Sequence, residues 1–252
     1  RLKTDALLIQ AKQVNGVTVI DTQQMKKIEQ EQQDLIDNLK LISTDIQIVY
    51  RYKLVLNGIA VVGPKAIQSK VISLSSIASY EEVGRFDREI NQESTSNLLS
   101  NVNFRKYNSS QFIGAEKLHQ LGITGHGVKI GVLDTGIDYT HVMLGGPGSV
   151  QAFRSVDPKQ THSLFPNQKV VGGIDLVGSD FDAASLAFKY RVPRPDPNPI
   201  DEATHGTHVA ATIAGIGDYI NSYNGVAPDA SLFAIKVFGK SGSTSDMVVI
   251  AG

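Results

Sequence analysis

The sequence predicts two unlike parts: an α+β module of element order β-α-β-β-α-β over residues 1–90, and an α/β domain built on a parallel sheet over residues 111–252. Three observations carry this. Of 23 glycines, four precede residue 110 and nineteen follow it, and proline divides in the same way, one before and eight after. Residues 91–110, NQESTSNLLSNVNFRKYNSS, have the Asn- and Ser-rich composition of a linker. Finally, Val128 to Leu133 is a mostly apolar run of the kind found in buried parallel strands, where alternation is lost because both faces are covered. At 252 residues, each part is long enough to bury a core.

In the first part, Ala6 to Gln10 reads as a short strand. Asp21-Thr22 can cap a helix of about four turns that places Met25, Ile28, Leu35 and Leu39 on one face. Ile46, Ile48, Tyr50 and Tyr52 alternate with polar residues at period two, and Asn57-Gly58 is the expected turn into Ile59 to Val62, making a hairpin. Pro64 can open a second helix through Ile67, Val71 and Ile72, since its fixed φ suits a first turn. Tyr80 to Phe86 completes the order as a last strand. The sum is a ferredoxin-like sandwich. RNA-binding modules share that order but need exposed aromatics within a Lys/Arg-Gly-aromatic signature, and none is present.

The second part opens with a short helix, Ile113 to Leu121, closed by Gly122. The strand at 128–133 then ends in Asp134-Thr135-Gly136. Carboxyl ends of strands in open α/β sheets converge on the ligand crevice, so an acid there points to function, against the plainer reading of a turn cap. Composition narrows the chemistry. With 24 Lys and Arg against 25 Asp and Glu, the chain has no field to attract nucleic acid. Zero cysteines exclude thiolate nucleophiles and Cys-ligated zinc, and no apolar run is long enough to span a membrane.

THGTHVAATIAG, residues 204–215, puts His205 and His208 three apart at the start of a small-residue helix. A zinc helix spaces two histidines at i and i+4 with a Glu between, and this stretch has neither feature. At a helix amino end an imidazole is held neutral and able to accept a proton, provided a carboxylate stabilises the cation once formed. Asp134 is the obvious carboxylate, and His208 is expected to be a hydrogen-bonded packing residue.

Three stretches together, VKIGVLDTGID at Val128 to Asp138, HGTHVAATIAG at His205 to Gly215 and GVAPDASLFAIKVFGKSGSTSD at Gly225 to Asp246, resemble the subtilisin-like serine proteases, in that family's order of Asp before His. The resemblance covers about residues 111–252. It implies a subtilisin-like α/β parallel-sheet peptidase domain, with Asp134 as triad acid, His205 as general base, and Gly242, Ser243 and Thr244 as an edge that pairs with extended substrate backbone. The family's nucleophile lies in a Gly-Thr-Ser-Met-type helix start further along than Gly252, so the chain by itself is expected to be inactive. By the same resemblance, residues 1–90 are similar to the prodomain of secreted subtilases. Such a module assists folding and blocks the cleft of its own chain with its C-terminal tail, here somewhere between Tyr80 and Tyr107. The implied partners are that intramolecular module and protein or peptide substrates, and the implied location is extracellular. Val192 to Pro199, VPRPDPNP, is expected to be an extended, proline-stiffened loop.

One departure concerns cofactors. Many members carry His-Pro-Asp-Leu after the catalytic acid, where the Asp binds calcium, and this chain has His141-Val142-Met143-Leu144. A thioether is a poor ligand for a hard cation, so no metal or cofactor is expected from these residues, calcium elsewhere in a longer protein aside. Two other functions stay open at this point. The chain could be a chaperone and inhibitor or a pseudoprotease without catalysis. It could also be an aspartic protease, whose carboxylate pair would require a second Asp-Thr-Gly from a partner copy.

Overall fold

The computed structural model describes residues 1–87, 109–217 and 223–252, so most of the expected linker lies outside the described residues. Two compact units divide the chain: residues 1–84 with 245–251, and residues 85–244 with 252.

The first unit begins with a 3₁₀ turn at Leu7–Ile9, not the strand expected at 6–10. The amides of Leu7 and Leu8 donate to the carbonyls of Lys53 and Leu54, which bends the segment around the end of a hairpin instead of extending it. Next come β1 (Lys12–Val14) and β2 (Val17–Val19), an antiparallel pair absent from the expected elements. Asn15 and Gly16 between them both adopt positive φ, 51° and 76°, the geometry of a tight two-residue turn. Both strands are exposed throughout, so no burial pattern announces them.

Helix α1 (Thr22–Ile42) starts where expected, the Asp21 carboxylate accepting from the Gln23 amide at 2.8 Å. Its inner face buries Ile28, Leu35, Ile36 and Leu39, and also Gln32. β3 (Gln47–Tyr52) and β4 (Gly58–Val62) form the expected hairpin. Gly58 already pairs with Tyr52, so residues 53–57 are the connection and Asn57-Gly58 is not itself the turn. Asn57 is buried and braces the loop, its Nδ2 donating to Thr4 O and Glu31 Oε2 while Oδ1 accepts from Gln32. After a 3₁₀ turn that follows Pro64 comes α2 (Gln68–Ile72). Leu2, Leu35, Leu39 and Ile46 make the core between helices and hairpin. The four-stranded sandwich does not form among the described residues. Its outer strands shrink to one antiparallel bridge, Leu2 to Ile77, and residues 80–84 are irregular.

The second unit includes β5 (Arg85–Asp87), α3 (Ser109–Phe112) and α4 (Ala115–Gln120). The helix expected at 113–121 stands as α4, set off from α3 by Gly114 at φ +79° and followed by Gly122 at φ +77°, as a glycine after a helix can be. Then follow β6 (Lys129–Asp134), α5 (Val150–Arg154), β7 (Val170–Asp175), α6 (His205–Ala214) and β8 (Ser231–Lys236). β6, β8 and β7 form a parallel sheet in that spatial order. Its register aligns Asp134, Lys236 and Asp175 side by side at the carboxyl edge.

One face of this sheet packs Val132, Val170, Leu232 and Ala234 against Ala210 and Ala214 of α6. The other face leaves Leu133, Ile174 and Phe233 about two-fifths exposed, at 42%, 42% and 41%, an unusual state for a parallel sheet. The proline-rich segment at 192–199 is not a free loop. Asp175 and Asp196 exchange backbone hydrogen bonds and Arg194 N donates to Val177 O, so the segment extends the sheet edge. β9 (Ser243–Ser245) pairs with β5. The final helix, α7 (Asp246–Ala251), belongs to the first compact unit, where the Tyr52 hydroxyl donates to Met247 O at 2.6 Å. No helix among the described residues is long and apolar enough to cross a membrane.

Candidate active site

Asp134 is the last residue of β6 and His205 the first of α6, and the fold brings them into contact. His205 Nδ1 lies 2.7 Å from Asp134 Oδ1 and 2.9 Å from Oδ2. A carboxylate has no proton to give, so Nδ1–H is the donor, and the second ring nitrogen is left as an acceptor. The Asp134 carboxylate is further fixed by the Thr135 amide at 2.6 Å. Asp134 is buried, whereas 44% of the His205 side chain is open to solvent. The acid is therefore held rigidly behind an accessible base.

The local sequence explains how two backbones come this close. Gly136 has φ +111°, and a Cβ there would sit 2.5 Å from Pro199 O. A Cβ on Gly206 would sit 2.1 Å from Gly136 O. The turn after the acid and the helix start after the imidazole thus pack main chain on main chain, which only glycine allows.

His208 differs from its expectation. It is exposed, and its ring has no hydrogen-bond partner among the described residues; the buried positions of α6 are Gly206, Ala210 and Ala214. Gly242 adopts φ +83° before β9, and Ser243 and Thr244 turn buried side chains inward. Ser243 Oγ donates to Asp182 and Thr244 Oγ1 to Val237 O, while Val237 N donates to Asp134 O at 2.8 Å. The edge strand is thereby tied to the acid through one residue.

Sequence reasoning missed a buried charge group beside the pair. Lys236 is wholly buried and lies 3.1 Å from Asp175 Oδ2 and 3.0 Å from Glu202 Oε2. Burial opposes its charge, but these two carboxylates outweigh it and hold the ammonium above the usual lysine range. Asp175 Oδ1 accepts from the Val177 and Gly178 amides, both at 2.7 Å, yet burial outweighs these bonds and the Lys236 charge and raises its carboxyl above the usual range. The signal was available: VVGGID ends in an acid as KIGVLD does, and Lys236 interrupts an apolar run.

At the carboxyl edge of a parallel sheet, then, an acid orients an exposed imidazole as a base able to deprotonate a hydroxyl. Residues 125–252 match the model of the subtilase family, and the chain belongs to that family. It is 36% identical over 145 residues to the minor extracellular protease Vpr of Bacillus subtilis, covering 57% of this chain and 14% of that protein. To subtilisin E of the same species it is 35% identical over 146 residues, covering 58% and 28%. Bacillopeptidase F aligns further, at 25% identity over 205 residues, covering 79% of this chain and 12% of its own length. The chain therefore spans less than a third of each of these relatives. Membership of the family removes the aspartic-protease reading, and so does the site, since the partner of Asp134 is an imidazole and the sheet is parallel.

Asp196, at the rim of the charge group, gives a stability test. Burial, with the Asp175 charge adding to it, pushes its carboxyl from 3.8 up to about 6. A carboxyl raised in the fold favours its protonated form, so its stabilising contribution is present below about pH 4 and is lost as pH rises through about 6. Asp196→Asn is expected to raise the melting temperature at neutral pH, with the gain vanishing by about pH 4; a gain that grows on acidification would contradict this.

Proposed function

We propose that the chain is the amino-terminal portion of a secreted serine endopeptidase of the subtilisin type. In this reading Asp134 is the acid and His205 the base of an Asp-His-Ser triad, and polypeptide beyond Gly252 supplies the serine. The observation that carries it is the Nδ1 contact of His205 with Asp134 at 2.7 Å, which leaves the outer ring nitrogen free to take a hydroxyl proton. As the serine attacks the peptide carbonyl, His205 takes its proton and Asp134 stabilises the imidazolium. His205 then returns the proton to the leaving amine, and water hydrolyses the acyl-enzyme. Without a nucleophile in place the chain alone should not turn over peptides. The half-exposed face of the β6-β8-β7 sheet is consistent with further structure covering it. One relative is named as an extracellular protease, which supports secretion.

Residues 1–90 fit the role of an inhibitory prodomain. The support is the pairing of β5 with β9, the edge that includes Ser243 and Thr244, and the reciprocal bonds between Gly84 and Asp246: Gly84 N to Oδ2 at 2.8 Å and Asp246 N to Gly84 O at 3.3 Å. Strand addition of this kind is how an extended substrate would bind, so the tail would hold the place of substrate until it is cut. Tethering gives such a tail a high effective concentration at the cleft.

In the complete enzyme, His205→Ala is expected to lower kcat on the order of 10⁶-fold and Asp134→Ala about 10⁴-fold, the scale of the subtilisin triad, while His208→Ala leaves kcat within about threefold. Equal losses at His205 and His208 in peptide hydrolysis would show that the wrong histidine has been chosen. Residues 1–100, folded and added separately, should inhibit the mature enzyme at micromolar concentration and be cleaved slowly. Turnover unaffected by them would reject the inhibitor role.

A further inference from the structure

Asp201 is 2% exposed and touches neither ring nitrogen of His205, yet its carboxylate accepts five hydrogen bonds. Oδ1 accepts from Thr135 Oγ1 at 2.8 Å, from the Ala203 amide at 2.8 Å and from the Thr204 amide at 3.0 Å. Oδ2 accepts from the Thr207 amide at 2.8 Å and from Thr207 Oγ1 at 2.7 Å. A threonine hydroxyl has one hydrogen, and once that is committed to a carboxylate its lone pairs face elsewhere. Both hydroxyls use them across the same seam, in opposite senses. Thr135 Oγ1, on the strand-end turn, accepts from the Gly206 amide of α6 at 2.9 Å. Thr207 Oγ1, on α6, accepts from the Asp138 amide of the turn at 2.9 Å.

The result is a pair of cross-braces between the element that carries Asp134 and the element that carries His205, both aimed by one anion. Thr204, which immediately precedes His205, adopts φ +71°, a left-handed conformation that strains a β-branched residue. Its amide is one of the five that Asp201 holds. An anion at this end of α6 is also the favoured sign.

We propose that Asp201 is a positioning residue of the Asp134–His205 pair: it sets the helix start against the strand-end turn so that Nδ1 of His205 meets the carboxylate of Asp134. This rests on the reading of that pair as acid and base, but its test requires no turnover. Asp201→Asn keeps the shape and replaces one acceptor oxygen by an NH₂, so every backbone amide facing that group loses its acceptor and the threonine hydroxyl facing it can keep a bond only by reversing its direction.

The experiment is proton NMR of the whole 252-residue chain, ¹⁵N-labelled, following two signals: the downfield proton of His205 Nδ1–H bonded to a carboxylate, and amide exchange at Gly206 and Asp138. Asp201→Asn is expected to abolish the downfield proton and to speed exchange at both amides by about tenfold, the equivalent of one hydrogen bond each. Should that variant fail to fold, Thr135→Val and Thr207→Val separate the braces. The first should speed exchange at Gly206 and the second at Asp138, each with loss of the downfield proton, while Thr135→Ser should retain the proton. A downfield proton and amide exchange that persist unchanged in folded Asp201→Asn, or in both valine variants, overturn the proposal. A parent chain without the downfield proton overturns the acid–base pair itself, and the exchange measurements then still decide whether Asp201 braces the seam.

Discussion

Everything at the site depends on a contact between two pieces of main chain. The turn that ends β6 and the first residues of α6 approach so closely that a methyl group on Gly206 would overlap Gly136 O. That approach converts two side chains 71 positions apart in sequence into a hydrogen-bonded pair. It also explains why Asp134 and His205 are each followed by glycine within two positions: the glycines let the two backbones come close enough for carboxylate and imidazole to meet. Hydroxyls at Thr135 and Thr207 then lock the seam laterally, so the geometry does not rely on the His205–Asp134 bond alone.

The carboxyl edge of the sheet carries a second layer of organisation. In-register pairing of Asp134, Lys236 and Asp175 concentrates charge where three strands end, and β8, between the other two, supplies the cation. A wholly buried ammonium is costly unless it is paired, and Lys236 meets two carboxylates as well as Ile200 O at 3.2 Å. Glu202 and Ile200 lie in the segment that leads into α6. Lys236 therefore holds the segment leading to His205 through Ile200 and Glu202, and Asp201 holds it through Thr204 and Thr207.

How much of this was legible in the sequence depends on whether the deciding interaction is local. β6 with its terminal acid, the capped start of α1 and the helix start at His205 are written in short stretches, and each stands where it was expected. The outer parts of the first unit are not. Ala6 to Gln10 is apolar enough for a strand, but the acceptors for its amides lie at Lys53 and Leu54 and impose a turn. The hairpin at Asn15-Gly16 carries a turn signal, yet its flanking strands are only three residues long and exposed throughout. Arg85 and Phe86 are extended as expected, while their partner, some 160 positions on, could not be read locally. Asp201 had a faint signal, an acid four residues before His205, hidden because a cap is sought immediately before a helix.

The central claim is that Asp134 and His205 activate a serine that lies outside residues 1–252. Fluorophosphonate labelling of a polypeptide that extends this chain past Gly252, followed by mapping of the modified peptide, tests it most directly. The account predicts stoichiometric label on one serine beyond Gly252, and loss of that label when His205 is replaced by alanine with the fold intact. Label on Ser241, Ser243 or Ser245, or label on any serine that is indifferent to His205, would contradict it.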